Sequence, residues 1–262
     1  MIDLHCHLLP GIDDGAQTPE DSVAMAKLAV ASGTHTIACT PHIYPGLFDN
    51  TPETIAAANQ VLTHALSQAG VDLKVVLGAD IQIVPDLVAK LRSGQVLTLD
   101  GTRYFLFEPP HHVPAPAMLE LVHSCVAAGY VPLITHPERL AYAGERYKEF
   151  KESVERGAWL QITASAITGG FGPGPQKLSE RMLADGLVYL VASDGHNTRR
   201  RPPVLKEAYE RCIELVGAEE TERLFVERPK AILANTPPSE VTPPVARKLG
   251  GKKGGFFSRL FG

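Results

Sequence analysis

Residues 1–16 read MIDLHCHLLPGIDDGA, two histidines around one cysteine followed by two aspartates in a glycine-bounded turn. The alternation from Ile2 to Leu8 suits a β-strand, whose side chains point to opposite faces in turn, so His5 and His7 share one side and Cys6 takes the other. Two neutral imidazoles on one face of a strand end form half of a metal site for Zn, Mn or Fe. The alternative is a pair of polar residues that hydrogen-bond locally, and the spacing alone does not choose between the two.

The same arrangement, an apolar run ending in chemistry-bearing side chains, recurs along the chain. Seven runs read as strands: IDLHCH (2–7), THTIACTPH (34–42), LKVVLGADIQ (73–82), RYFLFEPP (103–110), YVPLITHPE (130–138), AWLQITAS (158–165) and VYLVASDGH (188–196). Between them, at 19–31, 52–70, 85–94, 116–129, 145–157, 175–186 and 203–217, lie amphipathic stretches. Many have proline in the first turn and glycine at the end, the asymmetry expected of helices. Thr18, Pro19 and Asp21 make a near capping box for the first. Short apolar runs alternating with longer amphipathic ones are the mark of repeated β-α units.

The strand ends carry His5 and His7; Pro41 and His42; Asp80; Glu108; Thr135 and His136; and Asp194 and His196. Reactive groups of parallel α/β folds gather at the carboxyl ends of the strands. Contributions from six of seven strands suit a ring converging on one centre better than an open sheet with a single switch point. The expected fold is a distorted (β/α)7 TIM-like barrel spanning residues 1–235. Residues 236–262 change character to a proline-rich linker, TPPSEVTPP, and a basic, glycine-rich tail. There Phe256, Phe257, Leu260 and Phe261 share a helical face near Lys252, Lys253 and Arg259, a pattern suited to weak contact with an anionic membrane surface or to a disordered end.

The 262 residues are 44% hydrophobic and 21% charged, ordinary values for a soluble globular protein. A net charge of −4 offers no case for a nucleic-acid binder, which needs a clustered positive excess. The polar start lacks a secretory pattern and no run of about 18 apolar residues occurs, so the expected location is the cytoplasm. Cys6, Cys39, Cys125 and Cys212 form no CxxC pair and read as buried, reduced thiols. None is followed by arginine in a C-x5-R pattern, which argues against a thiol-phosphate mechanism.

Nine positions then need one explanation: His5, His7, Asp14, His42, Asp80, Glu108, His136, Asp194 and His196. A buried cluster of carboxylates disfavours its own ionised form, and divalent cations remove that cost. Nine nitrogen and oxygen donors suit three ions sharing a bridge, with Mn, Fe and Zn all compatible. Four carboxylates against three divalent ions leave an excess of roughly +2, which favours a phosphate dianion, and such a cluster supports phosphoester hydrolysis. Arg139, in THPER, and Arg201, in SDGHNTRRR, are the guanidinium groups placed to grip phosphate; the alternative for each is a surface ion pair. His42 and Asp14 are candidates for proton transfer. His111 and His112 after FEPP, and Tyr44 after His42, are candidates for substrate contact, whereas His35, His64 and His123 read as packing residues.

DLHCHLLPGIDDGA, TPH, THPER and SDGHN, in this order and at these distances, resemble the PHP (polymerase and histidinol phosphatase) superfamily. Within it the chain is most similar to the metal-dependent protein-tyrosine phosphatases of bacterial capsule and exopolysaccharide operons, from Ile2 to about Asn235. The resemblance implies a trinuclear, manganese-type site, with His5, His7 and Asp194 on one ion, Glu108 and His136 on a second, and Asp14, His42 and His196 on a third. It implies metal-activated hydroxide attack on phosphotyrosine, carried by a membrane tyrosine autokinase. Relatives in this branch carry a bridging glutamate where this chain has Asp80, one methylene shorter. Two other readings compete: a histidinol-phosphate or other small-molecule phosphatase, and a non-catalytic metal-binding regulatory module.

Overall fold

A computed structural model of the chain describes residues 1–247. The elements alternate as expected: β1 (Ile2–Cys6), α1 (Pro19–Ala31), β2 (Thr36–Cys39), β3 (His42–Ile43), α2 (Pro52–Gln68), β4 (Lys74–Leu77), β5 (Asp80–Gln82), α3 (Leu87–Ser93), β6 (Tyr104–Glu108) and α4 (Met118–Ala127). There follow β7 (Val131–Thr135), α5 (Tyr147–Glu155), β8 (Trp159–Thr163), α6 (Ala164–Ile167), α7 (Pro173–Ala184), β9 (Val188–Ala192), α8 (Lys206–Val216), α9 (Ala218–Glu222) and α10 (Arg228–Leu233). Helix starts follow the sequence signals. Thr18 and Asp21 complete a full capping box on α1, and Thr51 with Thr54 does the same on α2, each cap being worth about 1 kcal/mol.

All strand pairs are parallel, in the orders β1-β2-β4 and β3-β5-β6-β7-β8-β9. Two of the expected strands are therefore interrupted, at Thr40-Pro41 and at Gly78-Ala79. Proline has no N–H to give the ladder, and a side chain at Gly78 would meet Leu99 Cδ2 at 2.8 Å. The pairing offset survives the break: Cys39 faces Leu77 before it and His42 faces Asp80 after it. The two sheets thus run on from one another. At the other seam the Asp194 N–H donates to the His5 carbonyl at 2.8 Å and the His7 N–H to the Gly195 carbonyl at 2.9 Å, setting β1 beside the chain that leaves β9.

A distorted (β/α)7 arrangement results, with two apolar regions. One lies under the helices and takes Cys6, Ile37, Cys39, Phe105, Phe107, Ile134, Leu160, Ile162 and Val191 from the strands. The other takes side chains of the opposite parity: Ala38, Val76, Tyr104, Leu106, Leu133, Trp159 and Leu190. Continuing that inner parity by twos leads to His42, Asp80, Glu108, Gln161 and Asp194. β1 needs a correction to reach the same centre. Ile2 and Leu4 belong to the inner cluster, yet His5 and His7 have the other parity; a bulge between Asp3 and Cys6 re-aims the strand.

Three further expectations change. AWLQITAS is strand only to Thr163, because α6 begins at Ala164. Beyond Gly217, where the expected elements end, α9 and α10 follow with a π-helical turn between them at Arg223–Glu227. Residues 236–247, expected as linker, lie against the domain: the Tyr104 hydroxyl donates to the Thr236 carbonyl at 2.6 Å, Val241 is buried, and fully buried Arg228 pairs with Glu220 at 2.8 Å while donating to the Thr242 carbonyl. The aromatic and basic side chains from Lys252 to Phe261 lie outside the described residues. Among the described residues no helix is long and apolar enough to cross a membrane.

Candidate metal centre

Inner parity in the strands, the bulge in β1 and the turn after β7 together bring eight of the nine expected donors into one buried or nearly buried cluster, with Asp14, half exposed, at its mouth. His5 Nε2 lies 3.3 Å from Asp80 Oδ2 and 3.4 Å from Asp194 Oδ1; His7 Nε2 lies 3.3 Å from the same Asp194 oxygen. His42 Nδ1 is 3.2 Å from Glu108 Oε2, and His136 Nε2 is 3.7 Å from Glu108 Oε1. Asp14 Oδ1 sits 3.2 Å from His196 Nε2 and 3.5 Å from His42 Nε2. Donor atoms converge in five overlapping groups: His7 with Asp14, His42 and His196; His5 with His7 and Asp80; His5 with His136 and Asp194; Glu108 with His111 and His136; and His42 with Asp80 and Glu108.

The tautomers decide what these nitrogens can do. His7 Nδ1 donates to Asp13 Oδ2 at 2.7 Å, His5 Nδ1 to Gln161 Oε1 at 2.8 Å, and His196 Nδ1 to the Asp194 carbonyl at 2.9 Å. With Nδ1 held as the donor, each Nε2 is aimed inward and presents a lone pair there once the ring is neutral. His5 Nε2 and His7 Nε2 are 3.2 Å apart. Two lone pairs cannot face each other at that distance without a proton or a cation between them. Both Asp80 oxygens, Glu108 Oε2, His42 Nδ1 and His196 Nε2 are buried with no hydrogen bond. Metal–ligand bonds of about 2.1 Å put neighbouring ligand atoms about 3.0–3.4 Å apart, close to the separations seen here. The donor set fits divalent ions.

Electrostatics describe the metal-free chain. Burial opposes a charge on His5, but Asp80 and Asp194 outweigh it and raise the ring to about 9. Burial likewise opposes a charge on His42, which Glu108 and Asp80 push up to about 10. Burial holds His136 down to about 3, with Arg139 adding to it, and holds His196 down to about 4, helped by His7. Against their own burial, Asp80 and Asp194 stay well below the carboxylate range, Asp80 through His5 and Asp194 through Arg201 and His5. Burial and the Asp80 charge raise Glu108.

Both expected arginines reach the centre. Arg139 and Arg201 donate to the same oxygen, Asp194 Oδ2, the latter at 2.5 Å. Two of the expected donors carry backbone strain: His136 at φ 38° and Asp194 at φ 51° are left-handed, a conformation that costs a non-glycine residue about 1–3 kcal/mol. Each follows its strand by a residue or two, so the chain turns there and throws the side chain across the ring mouth.

The residues that orient the donors lie outside the nine positions expected from the sequence. Asp13, beside the selected Asp14, accepts from His7, from the Gly15 N–H at 2.9 Å and from the His42 N–H at 3.2 Å. Gln161 offered a usable signal, a polar side chain at inner parity in a buried strand. His111 stacks on His136, with ring centroids 4.8 Å apart. Tyr44 engages Phe48 through backbone bonds, and it is the Phe48 ring that stacks on His42 at 5.5 Å. His35, His64, His112 and His123 join none of the five donor groups.

Residues 1–234 match a family described as "Capsular polysaccharide synthesis, CpsB/CapC". The tyrosine-protein phosphatase YwqE of Bacillus subtilis (strain 168) is 39% identical over 202 residues, covering 77% of this chain and 79% of that one. The tyrosine-protein phosphatase CpsB of Streptococcus pneumoniae is 30% identical over 238 residues, covering 89% of this chain and 98% of that one. A solved chain from the structures of YwqE and CpsB, described as "unique metal-dependent tyrosine phosphatases", superposes with a TM-score of 0.86 at 34% identity, covering 94% of this chain and all of that one.

Proposed function

The chain belongs to the CpsB/CapC family of capsular polysaccharide synthesis, and from that premise we propose that it is a metal-dependent protein-tyrosine phosphatase. The observation that carries the reading is the pair of Nε2 atoms of His5 and His7 facing each other 3.2 Å apart and ringed by Asp80 and Asp194, with two guanidinium groups converging on the same aspartate. His5, His7 and Asp194 would hold one ion, Glu108 and His136 a second, and Asp14, His42 and His196 a third, with Asp80 as a further donor; manganese would suit these nitrogen and oxygen donors, as would iron and zinc. Bound there, the ions supply Lewis acidity and a water of lowered pKa.

The chain's own residues do the rest. Asp13 and Gln161 fix the tautomers of His7 and His5. Arg139 and Arg201 bind the phosphoryl oxygens through guanidinium edges, orient the ester and stabilise the charge that builds on its equatorial oxygens. Asp14, kept ionised at the mouth by His196 and His42, and His42, whose Nε2 lies beside it, are placed to relay a proton from water to the leaving phenolate. The family's relatives that are named tyrosine-protein phosphatases support phosphotyrosine as substrate, and the capsule setting supports a cytoplasmic role on a membrane tyrosine autokinase of polysaccharide synthesis.

A panel of phosphotyrosine peptide, phosphoserine peptide and histidinol phosphate, run with manganese and after chelation, tests the reading. Turnover of the phosphotyrosine peptide that chelator abolishes supports it. Preference for histidinol phosphate would replace the substrate class, and full metal loading with no turnover of any ester would contradict the enzyme.

A further inference from the structure

Among the described residues Arg139 has two side-chain partners, the Asp194 carboxylate and the ring of Phe171, whose centroid lies 4.4 Å from the guanidinium carbon. The two partners use different parts of the group. Asp194 takes N–H donors at the edge and shares its Oδ2 with Arg201. Phe171 takes the face, where the ring's negative quadrupole attracts a cation, and leaves the edge donors to oxygen acceptors. We propose that Phe171 is a positioning residue for the reaction: it holds the Arg139 plane so that its edge meets the phosphoryl group. The inference rests on the phosphatase reading and adds to it a residue outside the cluster of donors.

The loop that carries Phe171 is built for this placement. Residues 168–172 read TGGFG, and the glycines on either side of the Gly170-Phe171 pair are left-handed, Gly169 at φ 89° and Gly172 at φ 86°. The Gly170 N–H donates to the Ser165 carbonyl at 2.7 Å, and a Cβ at Gly170 would stand 3.1 Å from that oxygen, so a side chain there would push the loop away. The turn that carries Arg139 is anchored to the same stretch: buried Glu138 accepts the Thr163 N–H at 2.7 Å, at the root of α6. One segment, Thr163 to Gly172, therefore fixes both the backbone of the arginine and the ring beneath it. Phe171 itself is only half-buried, as suits a residue that supports a site rather than fills a core.

Phe171→Leu keeps the apolar bulk and removes the π face, whereas Phe171→Tyr keeps the face. The test measures kcat and KM for p-nitrophenyl phosphate, and inorganic phosphate binding by calorimetry, on manganese-loaded wild type and both variants. Phe171→Leu should raise KM and weaken phosphate binding about fivefold with kcat within about twofold, and Phe171→Tyr should match wild type. At 1.4 kcal/mol per tenfold, fivefold is about 1 kcal/mol, within the range of a partly desolvated cation over a ring. Wild-type behaviour in the leucine variant, or equal losses in both variants, would overturn the proposal. The phosphate titration decides it even if wild type turns over no substrate, an outcome that would sink the phosphatase reading alone.

Discussion

Replacing Asp13 by asparagine tests whether the outer residues of the cluster set its affinity for metal. Asp13 is buried, and its two oxygens accept three bonds, from His7 Nδ1 at 2.7 Å, the His42 N–H at 3.2 Å and the Gly15 N–H at 2.9 Å. Asparagine offers one acceptor oxygen, so an NH2 group must face a donor that was satisfied before. Losing one bond to a charged acceptor costs about 1.5–3 kcal/mol, which is about 10–100-fold in affinity, the usual effect of removing a partner that orients a metal-bound histidine. The His7 ring also loses the constraint that presents Nε2 inward. Manganese affinity, measured by competition with a chelating dye, should fall by that factor in Asp13→Asn. Thermal unfolding of both proteins in chelator separates a loss of fold from a loss of site. Manganese binding within about twofold of wild type in a folded Asp13→Asn protein would refute the reasoning.

Further expectations follow from the same geometry. His136→Ala should lose bound metal by elemental analysis and most turnover of p-nitrophenyl phosphate, whereas Arg201→Ala should keep its metal and raise KM about tenfold through lost charge-assisted bonds to phosphate. In the metal-free chain His5 and His42 titrate at about 9 and about 10. Both hold protons at neutral pH and must lose them to bind metal, so calorimetric loading in buffers of different ionisation enthalpy should show release of about two protons at pH 7. Affinity should strengthen as pH rises toward those values. Glu138 is buried and raised by that burial to about 7 from its ordinary 4.5. The folded form then binds more protons than the unfolded one, so stability present below about 4.5 is lost as pH rises through about 7, by up to about 3 kcal/mol. Urea unfolding of the chelated protein at several pH values should show that decline in wild type and its absence in Glu138→Gln.

Much of the fold was legible because parallel strands buried on both faces read as apolar runs and helices announce their ends. Their carboxyl ends pointed to one centre for the same reason: polar side chains at inner parity stand out against Val, Ile and Leu. The breaks at Pro41 and Gly78 were less legible, since a missing N–H and a close approach to Leu99 show only in three dimensions. The bulge in β1 is invisible in sequence, yet without it Leu4 and His5 could not serve the same interior. Left-handed His136 and Asp194 likewise lie outside the reach of residue patterns, because any propensity reading disfavours them there. Asp13 and Phe171 were passed over for another reason. Their roles depend on distances to His7 and Arg139, and no spacing rule encodes a partner 32 residues away across a ring, as Phe171 is from Arg139.

The inward Nε2 atoms of His5 and His7, with the carboxylates around them, are arranged to hold divalent cations. Anomalous diffraction from crystals grown with manganese, measured on either side of its absorption edge, tests this most directly. Manganese peaks should stand within bonding distance of His5 Nε2 and His7 Nε2 and between Asp80 and Glu108. Ordered histidine rings with no anomalous peak among them would contradict that assignment.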